Sequence, residues 1–379
     1  MHIALNGWFW DQPHTGSGQY VRRLLTALRR VAPELALTLV LPDRIAQPEG
    51  VPDGVAVVQA GAGRGRLGKV WFEQRAYPAA VARAGADIAH VPYWGPPLAV
   101  DARLVVSILD VIPLTIPDYA ASLGARLYTS LVTATARGAA HVLTLSSAAK
   151  ADIVRHIGYP PKQITVTHLA ADEVYHPRLG AERDAAVKAK YQLPDRFVLY
   201  LGGFDVRKQV NRALLAYTYV GPAEGQEVPL VLAGREPKWA KPLFPDLRAY
   251  AAELHIEDYV QWIGYVDEED KPSLYRLASV FVYPSISEGF GLPVLEAMAS
   301  GTPVVACDIP VMREIVGDAA YLVPPDSERQ MAAAILALLL QNPLREQMIQ
   351  RGLGQATRYS YRKAAKETLS AYQRVMNVP

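Results

Sequence analysis

The 379-residue chain has a single cysteine, Cys307, so no intramolecular disulfide can form. Set in an apolar run, that thiol is expected to pack in a core and to suit a reducing, cytoplasmic compartment. Long apolar runs are also absent. Ala332–Leu340 is among the longest, far short of the ~20 residues a spanning helix needs. His2–Asn6 reads as a strand soon followed by polar residues, which argues against a signal peptide. Any membrane contact is therefore expected to be peripheral. Neither sign of charge dominates: 39 Lys and Arg against 37 Asp and Glu leave a net charge of +2, which excludes bulk attraction to nucleic acid. The eight histidines show no zinc-ligand spacing.

Half the residues are apolar and a fifth charged, as in a globular protein, and the length favours two domains over one. Strand patterns at His2–Trp8, Leu35–Leu41, Val55–Gln59, Ile88–Val91, Leu104–Leu109, His141–Leu145 and Ile164–His168 alternate with helix patterns at Gly18–Arg30, Val70–Ala84, Tyr119–Ala136 and Ser147–His156. A polar, proline-bearing stretch follows, after which strands resume at Phe197–Leu201, Pro229–Ala233, Val260–Ile263, Val280–Tyr283 and Pro303–Cys307. Two successive strand–helix series predict an α/β protein with two doubly wound parallel sheets, which bind ligands at a cleft outside the strands' carboxyl ends. The expected divisions are a first domain 1–175, a linker 176–195, a second domain 196–360 and an amphipathic helix in 361–379.

One window carries the most chemistry. After the apolar run Val280-Phe281-Val282-Tyr283-Pro284 come Glu288-Gly289-Phe290-Gly291-Leu292-Pro293 and then Glu296-Ala297-Met298-Ala299. The glycines permit a backbone that a Cβ would resist, Pro293 suits a first helical turn, and the helix is expected over Leu292–Ser300. Loop amides and a helix N-terminus make an anion site, with one carboxylate before it and one a turn inside. Gly301-Thr302-Pro303-Val304-Val305, Glu314-Ile315-Val316-Gly317 and Val323-Pro324-Pro325 complete the string.

This string resembles the Glu-x7-Glu signature of the retaining glycosyltransferases of family 4, which have the GT-B architecture of two Rossmann-like domains facing a cleft. The resemblance implies a hexosyltransferase that moves mannose or glucose from a GDP- or UDP-linked donor to a hydroxyl of a glycan or lipid-linked acceptor, retaining configuration. It implies the first domain on the acceptor side, the second binding the nucleotide sugar, and a last helix that crosses back to the first. Glu288 is then expected to hold the transferred sugar's hydroxyls, Glu296 the ribose hydroxyls, and the backbone of Gly289, Phe290, Gly291 and Leu292 to give donors to phosphate and sugar. Arg207 and Lys208, after Gly203 at the end of the strand Phe197–Leu201, match a family Arg and Lys that contact the diphosphate. A solvated basic pair on a loop would read the same in isolation. The base is expected near Gly264 and Tyr265.

In the first domain, Gly16, Ser17 and Gly18 open a helix, where amides could approach a phosphate or sugar; a helix cap at Ser17 is the plainer account. The segment Leu109-Asp110 matches a family His-Asp. Asp110 stays a catalytic candidate, with capping as its alternative. Leu109 leaves the imidazole to be dispensed with, replaced by His90 or another group, or lost together with activity. No Asp-x-Asp motif of metal-dependent glycosyltransferases is present, so neither a metal nor a cofactor is expected. Gly63-Arg64-Gly65-Arg66-Leu67-Gly68 fits a dinucleotide-loop pattern but lies outside the first strand–helix unit. With Lys69, Trp71, Phe72 and Arg22, Arg23, Arg29 and Arg30, it reads as a basic, aromatic-tipped face for anionic lipid, or as scattered solvated charge. Two other functions remain compatible: a non-catalytic nucleotide-sugar-binding protein and a nucleotide-sugar 2-epimerase, a family without the Glu288–Leu292 string.

Overall fold

A computed structural model describes residues 1–63, 67–239 and 242–377. Arg64, Gly65 and Arg66 of the basic loop lie outside the described residues. The chain forms two compact units, one of Met1–Leu169 with Ser360–Pro379 and one of Ala170–Tyr359. Residues 176–195 thus belong to the second unit and include the helix Asp184–Lys190, whose Asp184 pairs with Arg276.

The first unit is built on seven parallel strands: β1 (His2–Asn6), β2 (Ala36–Pro42), β3 (Ala56–Ala60), β4 (Ile88–Val91), β5 (Arg103–Ser107), β6 (His141–Thr144) and β7 (Ile164–Val166), in the order β3-β2-β1-β4-β5-β6-β7. β4 and β6 are buried along their whole length, covered on both faces, and their polar members His90, His141 and Thr144 find partners in Ser107, Thr165 and the Ile108 carbonyl. β3, at the sheet edge, is mostly exposed. The expected helix Val70–Ala84 is a composite: α-helix over Gly68–Trp71, a π-helical turn over Phe72–Ala76, then α-helix over Tyr77–Ala84. The terminal helix Tyr361–Met376 buries Ala364, Ala365, Thr368, Ala371, Tyr372 and Val375 and packs along the helix Gly16–Val31. A buried polar chain fastens it: the Tyr372 hydroxyl meets His90 Nδ1 at 2.6 Å, His90 Nε2 meets Ser107 Oγ at 2.8 Å, and Ser107 Oγ meets the Tyr20 hydroxyl at 2.9 Å.

The second unit has six parallel strands: β8 (Val198–Leu201), β9 (Leu230–Ala233), β10 (Val260–Gly264), β11 (Val280–Tyr283), β12 (Val304–Cys307) and β13 (Tyr321–Val323), in the order β10-β9-β8-β11-β12-β13. β13 is only three residues long, too short for a periodic signal, and the sequence pattern missed it. Cys307 is buried in β12, its thiol donating to Pro284 O. Each strand order reverses once, between β1 and β4 and between β8 and β11, and open parallel sheets bind ligands outside the strand ends at such points.

Candidate active site

The loops after β8 and β11 leave the second sheet side by side at its reversal point. Val206–Lys208 forms a 3-10 turn, and the carbonyl of Arg207 accepts from Ile286 N at 3.0 Å and Ser285 Oγ at 3.2 Å. This stitching brings Glu288 onto both cations. Its Oε1 accepts from Lys208 Nζ at 2.5 Å, Ser285 Oγ at 2.6 Å and Arg207 Nη1 at 2.7 Å. Lys208, a buried residue, also donates to the Tyr283 hydroxyl at 2.9 Å, with its ammonium 4.9 Å from that ring's centroid. Arg207 is held further by Ser287 O at 3.2 Å and by Asp205 Oδ1, 3.2 Å from Nε.

Burial alone would raise the Glu288 carboxyl, but the charges of Lys208 and Arg207 outweigh it and hold the group at about 2. Burial pulls the Lys208 ammonium down, and the charge of Glu288 works against that. A buried carboxylate with two cations and a hydroxyl on one oxygen is a preorganised charged centre, of the kind that stabilises a departing anion.

Downstream, Gly291 precedes the helix Leu292–Ala299 with φ 102°, a backbone that favours glycine, and a Cβ there would also displace the Met312 methyl, 2.2 Å away. The Phe290 ring is buried edge-on against Tyr359, centroids 5.9 Å apart. Glu296, inside the helix, is buried in a different set of contacts: the Tyr275 hydroxyl donates to Oε2 at 3.1 Å, and Tyr175 is a further hydrogen-bond partner. Burial pushes this carboxyl up to about 7, against the pull of Lys271 and the tyrosine hydroxyls. The two glutamates therefore differ in charge behaviour near neutrality. Gly203 is exposed after β8. At the ends of β9 and β10, Gly264 (φ 71°) accepts from Gly234 N at 2.8 Å, and Tyr265, 42% exposed, lies under the Arg235 guanidinium at 5.2 Å.

The candidates of the first unit fare differently. The helix begins at Gly16, and its cap is Thr15, whose Oγ1 accepts from Gly18 N at 3.1 Å; a cap at Ser17 is incorrect. Gly18 answers to packing, because a Cβ would lie 2.0 Å from Gln12 O, whereas Gly16 faces open space among the described residues. Asp110 Oδ1 accepts from Ile112 N at 3.1 Å, at the start of the short helix Ile112–Thr115. His90 is no substitute for the imidazole missing at Leu109: it is fully buried in the chain of hydroxyls described above, and burial pulls it down to about 3. Of the residues read as a basic, aromatic-tipped face, Phe72 is fully buried, Lys69 pairs with Glu73, Arg22 folds over Trp10 and Arg29 donates to Asp53 O and Leu35 O, whereas Trp71 is 56% exposed and Arg23 and Arg30 are exposed.

Sequence reasoning had named neither Ser285 nor Tyr283 as part of the site, although both lie in the window around Glu288. Tyr175 and Tyr275 had no local signal. Among the described residues, no group of three or more His, Cys, Asp or Glu side chains could hold a metal, and no helix is long and apolar enough to cross a membrane.

Comparison with known proteins converges on one class. The family model described as glycosyl transferases group 1 matches residues 183–355, and that described as Glycosyltransferase Family 4 matches residues 14–173. The chain is 33% identical over 377 residues to O-antigen chain mannosyltransferase B of Escherichia coli, covering 95% of this chain and 96% of that one. It is 32% identical over 213 residues to a phosphatidyl-myo-inositol mannosyltransferase of Mycolicibacterium smegmatis, covering 55% of this chain and 53% of that one. Among solved structures, sucrose-phosphate synthase of Thermosynechococcus elongatus superposes with a TM-score of 0.78 at 22% identity, covering 99% of both chains. A glycosyltransferase involved in lipopolysaccharide biosynthesis superposes with a TM-score of 0.76 at 16% identity, covering 99% of this chain and 100% of that one. At such identities the two structures speak for the fold alone, the GT-B fold.

Proposed function

The chain belongs to the group 1, family 4 glycosyltransferases, and on that premise we propose that it moves a mannosyl residue from a nucleotide diphosphate sugar to a hydroxyl of a glycan or lipid-linked acceptor, with retention and without a metal or cofactor. The observation that carries this reading is the convergence of Lys208, Arg207 and Ser285 on Glu288 at the reversal point of the second sheet. Mannose rests on the names of the relatives, and GDP-mannose is the first donor to test, followed by UDP-glucose.

In the proposed mechanism the donor's diphosphate binds against Arg207 and Lys208. Charge builds on the leaving diphosphate as the glycosidic bond breaks, and two fixed cations stabilise it without reorganisation. They take the place a divalent ion has elsewhere. Glu288 keeps both cations aimed and accepts from the transferred sugar's hydroxyls. Backbone donors around Gly289–Leu292 add to the anion site, and Glu296 receives the ribose hydroxyls. Tyr265 lies by the base. The test is release of nucleoside diphosphate from GDP-mannose and UDP-glucose, with and without EDTA, and the anomeric configuration of the product by NMR. Turnover that disappears in EDTA and returns with magnesium or manganese refutes metal independence. An inverted product refutes retention, and no turnover of any nucleotide sugar refutes the transferase reading.

A further inference from the structure

The two glutamates of the candidate site are held by different means. Glu288 is met by two cations, whereas the donors that reach Glu296 are hydroxyls, Tyr275 at 3.1 Å from Oε2 and Tyr175. Tyr275 comes from the helix Lys271–Leu277, which packs against the helix that carries Glu296. Tyr175 comes from far back in the chain. The second unit begins at Ala170, so Tyr175 lies on the segment by which the chain enters that unit. Its ring stands edge-on to that of Tyr275, with centroids 5.8 Å apart.

This entry segment is fastened on both sides of Tyr175. Before it, Asp172 O accepts from Tyr175 N at 2.9 Å and Asp172 Oδ1 from Val174 N at 3.1 Å, which makes a tight turn. After it, His176 Nδ1 accepts from Arg178 N at 3.1 Å and Leu179 N at 3.2 Å. Arg276, on the same helix as Tyr275, then grips the segment. Its Nη1 donates to Leu179 O at 2.9 Å and His176 O at 3.3 Å, and its Nη2 to Gly180 O at 3.0 Å and Asp184 Oδ1 at 2.6 Å. Pro177 packs close to Gly301, just past the Glu296 helix, where a Cβ would lie 3.2 Å from Pro177 Cβ. Chain that merely joins two compact units is commonly exposed and makes few contacts. Here one guanidinium holds three carbonyls of it.

What the fastening delivers is a hydroxyl. Burial, with the Glu296 carboxylate beside it, raises the Tyr175 hydroxyl, so it stays protonated and remains a donor. The last torsion of a glutamate side chain is broad, and a single hydrogen bond leaves the carboxylate free to turn. Two hydroxyls from separate elements restrict it.

We propose that Tyr175 is a positioning residue of the donor site, its hydroxyl fixing the Glu296 carboxylate in the orientation that accepts from the ribose hydroxyls. The entry segment is then part of the donor site, and Arg276 acts through it. The assignment rests on the ribose role proposed above for Glu296.

The probes are GDP and 2′-deoxy-GDP, or UDP and 2′-deoxy-UDP if the wild type binds the uridine nucleotide instead. They are titrated calorimetrically into the full-length chain at about pH 8, above the Glu296 value, so that the carboxylate is ionised. A site built to accept from a hydroxyl rejects the analogue that lacks it, so the wild type is expected to bind the deoxynucleotide roughly tenfold more weakly or worse. Y175F keeps the ring and removes only the hydroxyl. It is expected to bring that ratio to within about threefold of unity by weakening the ribonucleotide, with the deoxynucleotide nearly unchanged. R276K loosens the segment and is expected to lower the ratio in the same direction; thermal melts show that each variant folds, and R276K decides if Y175F does not. A wild-type ratio in the folded variants overturns the assignment, as does equal weakening of both nucleotides, the mark of a purely structural role. Glu296→Gln separates the two readings. If it abolishes the ratio while Y175F leaves it intact, the positioning role alone fails. If Glu296→Gln itself keeps the wild-type ratio, the ribose role of Glu296 fails and this inference with it, as both do if the wild type binds neither GDP nor UDP.

Discussion

Replacing Glu288 with Gln tests the charged centre most directly. The substitution keeps the shape and one acceptor oxygen but removes the charge that Lys208 and Arg207 meet at 2.5 and 2.7 Å. Hydrogen bonds to charged groups contribute about 1.5–3 kcal/mol each. The introduced amide retains weaker forms of these bonds, so the expected loss of stability is about 1.5–3 kcal/mol in all, or roughly 3–10 °C in Tm for a unit of this size. Turnover is expected to fall about 100-fold, equal to ~2.7 kcal/mol, the lower end for removing one preorganised electrostatic contact.

The pH dependence adds a second signature. Without Glu288, burial still lowers the Lys208 ammonium but its main opposing charge is gone, so activity falls at a lower pH on the alkaline side. On the acid side, Glu288 has a folded value of about 2, below its ordinary 4.5. Its stabilisation is therefore complete above about 4.5 and lost as pH falls through about 2, and the variant lacks that component. Initial rates of nucleoside diphosphate release, with kcat and KM separated, and thermal melts across pH supply the readout. Turnover within threefold of wild type, with an unchanged Tm, refutes the reasoning.

Lys208→Ala is expected to lower kcat/KM for the donor roughly 10- to 150-fold, the loss of one charge-assisted contact of about 1.5–3 kcal/mol; an unchanged value removes Lys208 from the site. In its proposed ribose-binding role Glu296, pushed up to about 7 by burial, must be ionised to accept from both hydroxyls. Donor KM should therefore fall roughly tenfold as pH rises from about 6 to about 8, and Glu296→Gln should abolish that slope. A slope that persists in the variant excludes Glu296 as its source. Gly291→Ala puts a Cβ on a positive-φ backbone and is expected to lower stability by ~1–2 kcal/mol, read as a fall in Tm; a neutral melt contradicts that backbone conformation.

Much of this architecture was legible in the chain. Apolar strands separated by helical patterns specify two parallel sheets, because strand and helix periodicities are local properties of a few successive residues. Pro293 and Gly291 marked the start of the helix that carries Glu296 for the same reason. Where signals were weak or doubled, the reading slipped. Thr15 and Ser17 are both good caps, and only the loop returning from Gln12 selects Thr15. The π turn at Phe72–Ala76 lies within an unbroken helical pattern, and nothing in the pattern marks one extra residue per turn. Arg22, Lys69 and Phe72 looked like a lipid-facing surface, but in the fold they find carbonyl, carboxylate and aromatic partners that composition does not reveal.

The sequence by itself determined all the strands but β13, their alternation with helices and the family, since these follow from residue types over short windows. Tertiary structure alone decided the electrostatics. Glu288 meets Arg207 and Lys208 across 81 and 80 residues of chain, and the result is a carboxylate held at about 2. Glu296, eight residues on, finds Tyr275 and Tyr175 and is pushed up to about 7. Desolvation and Coulomb attraction depend on distance through space and on burial, and neither is a property of position along the chain. The two glutamates look alike in sequence, and the fold sets them apart.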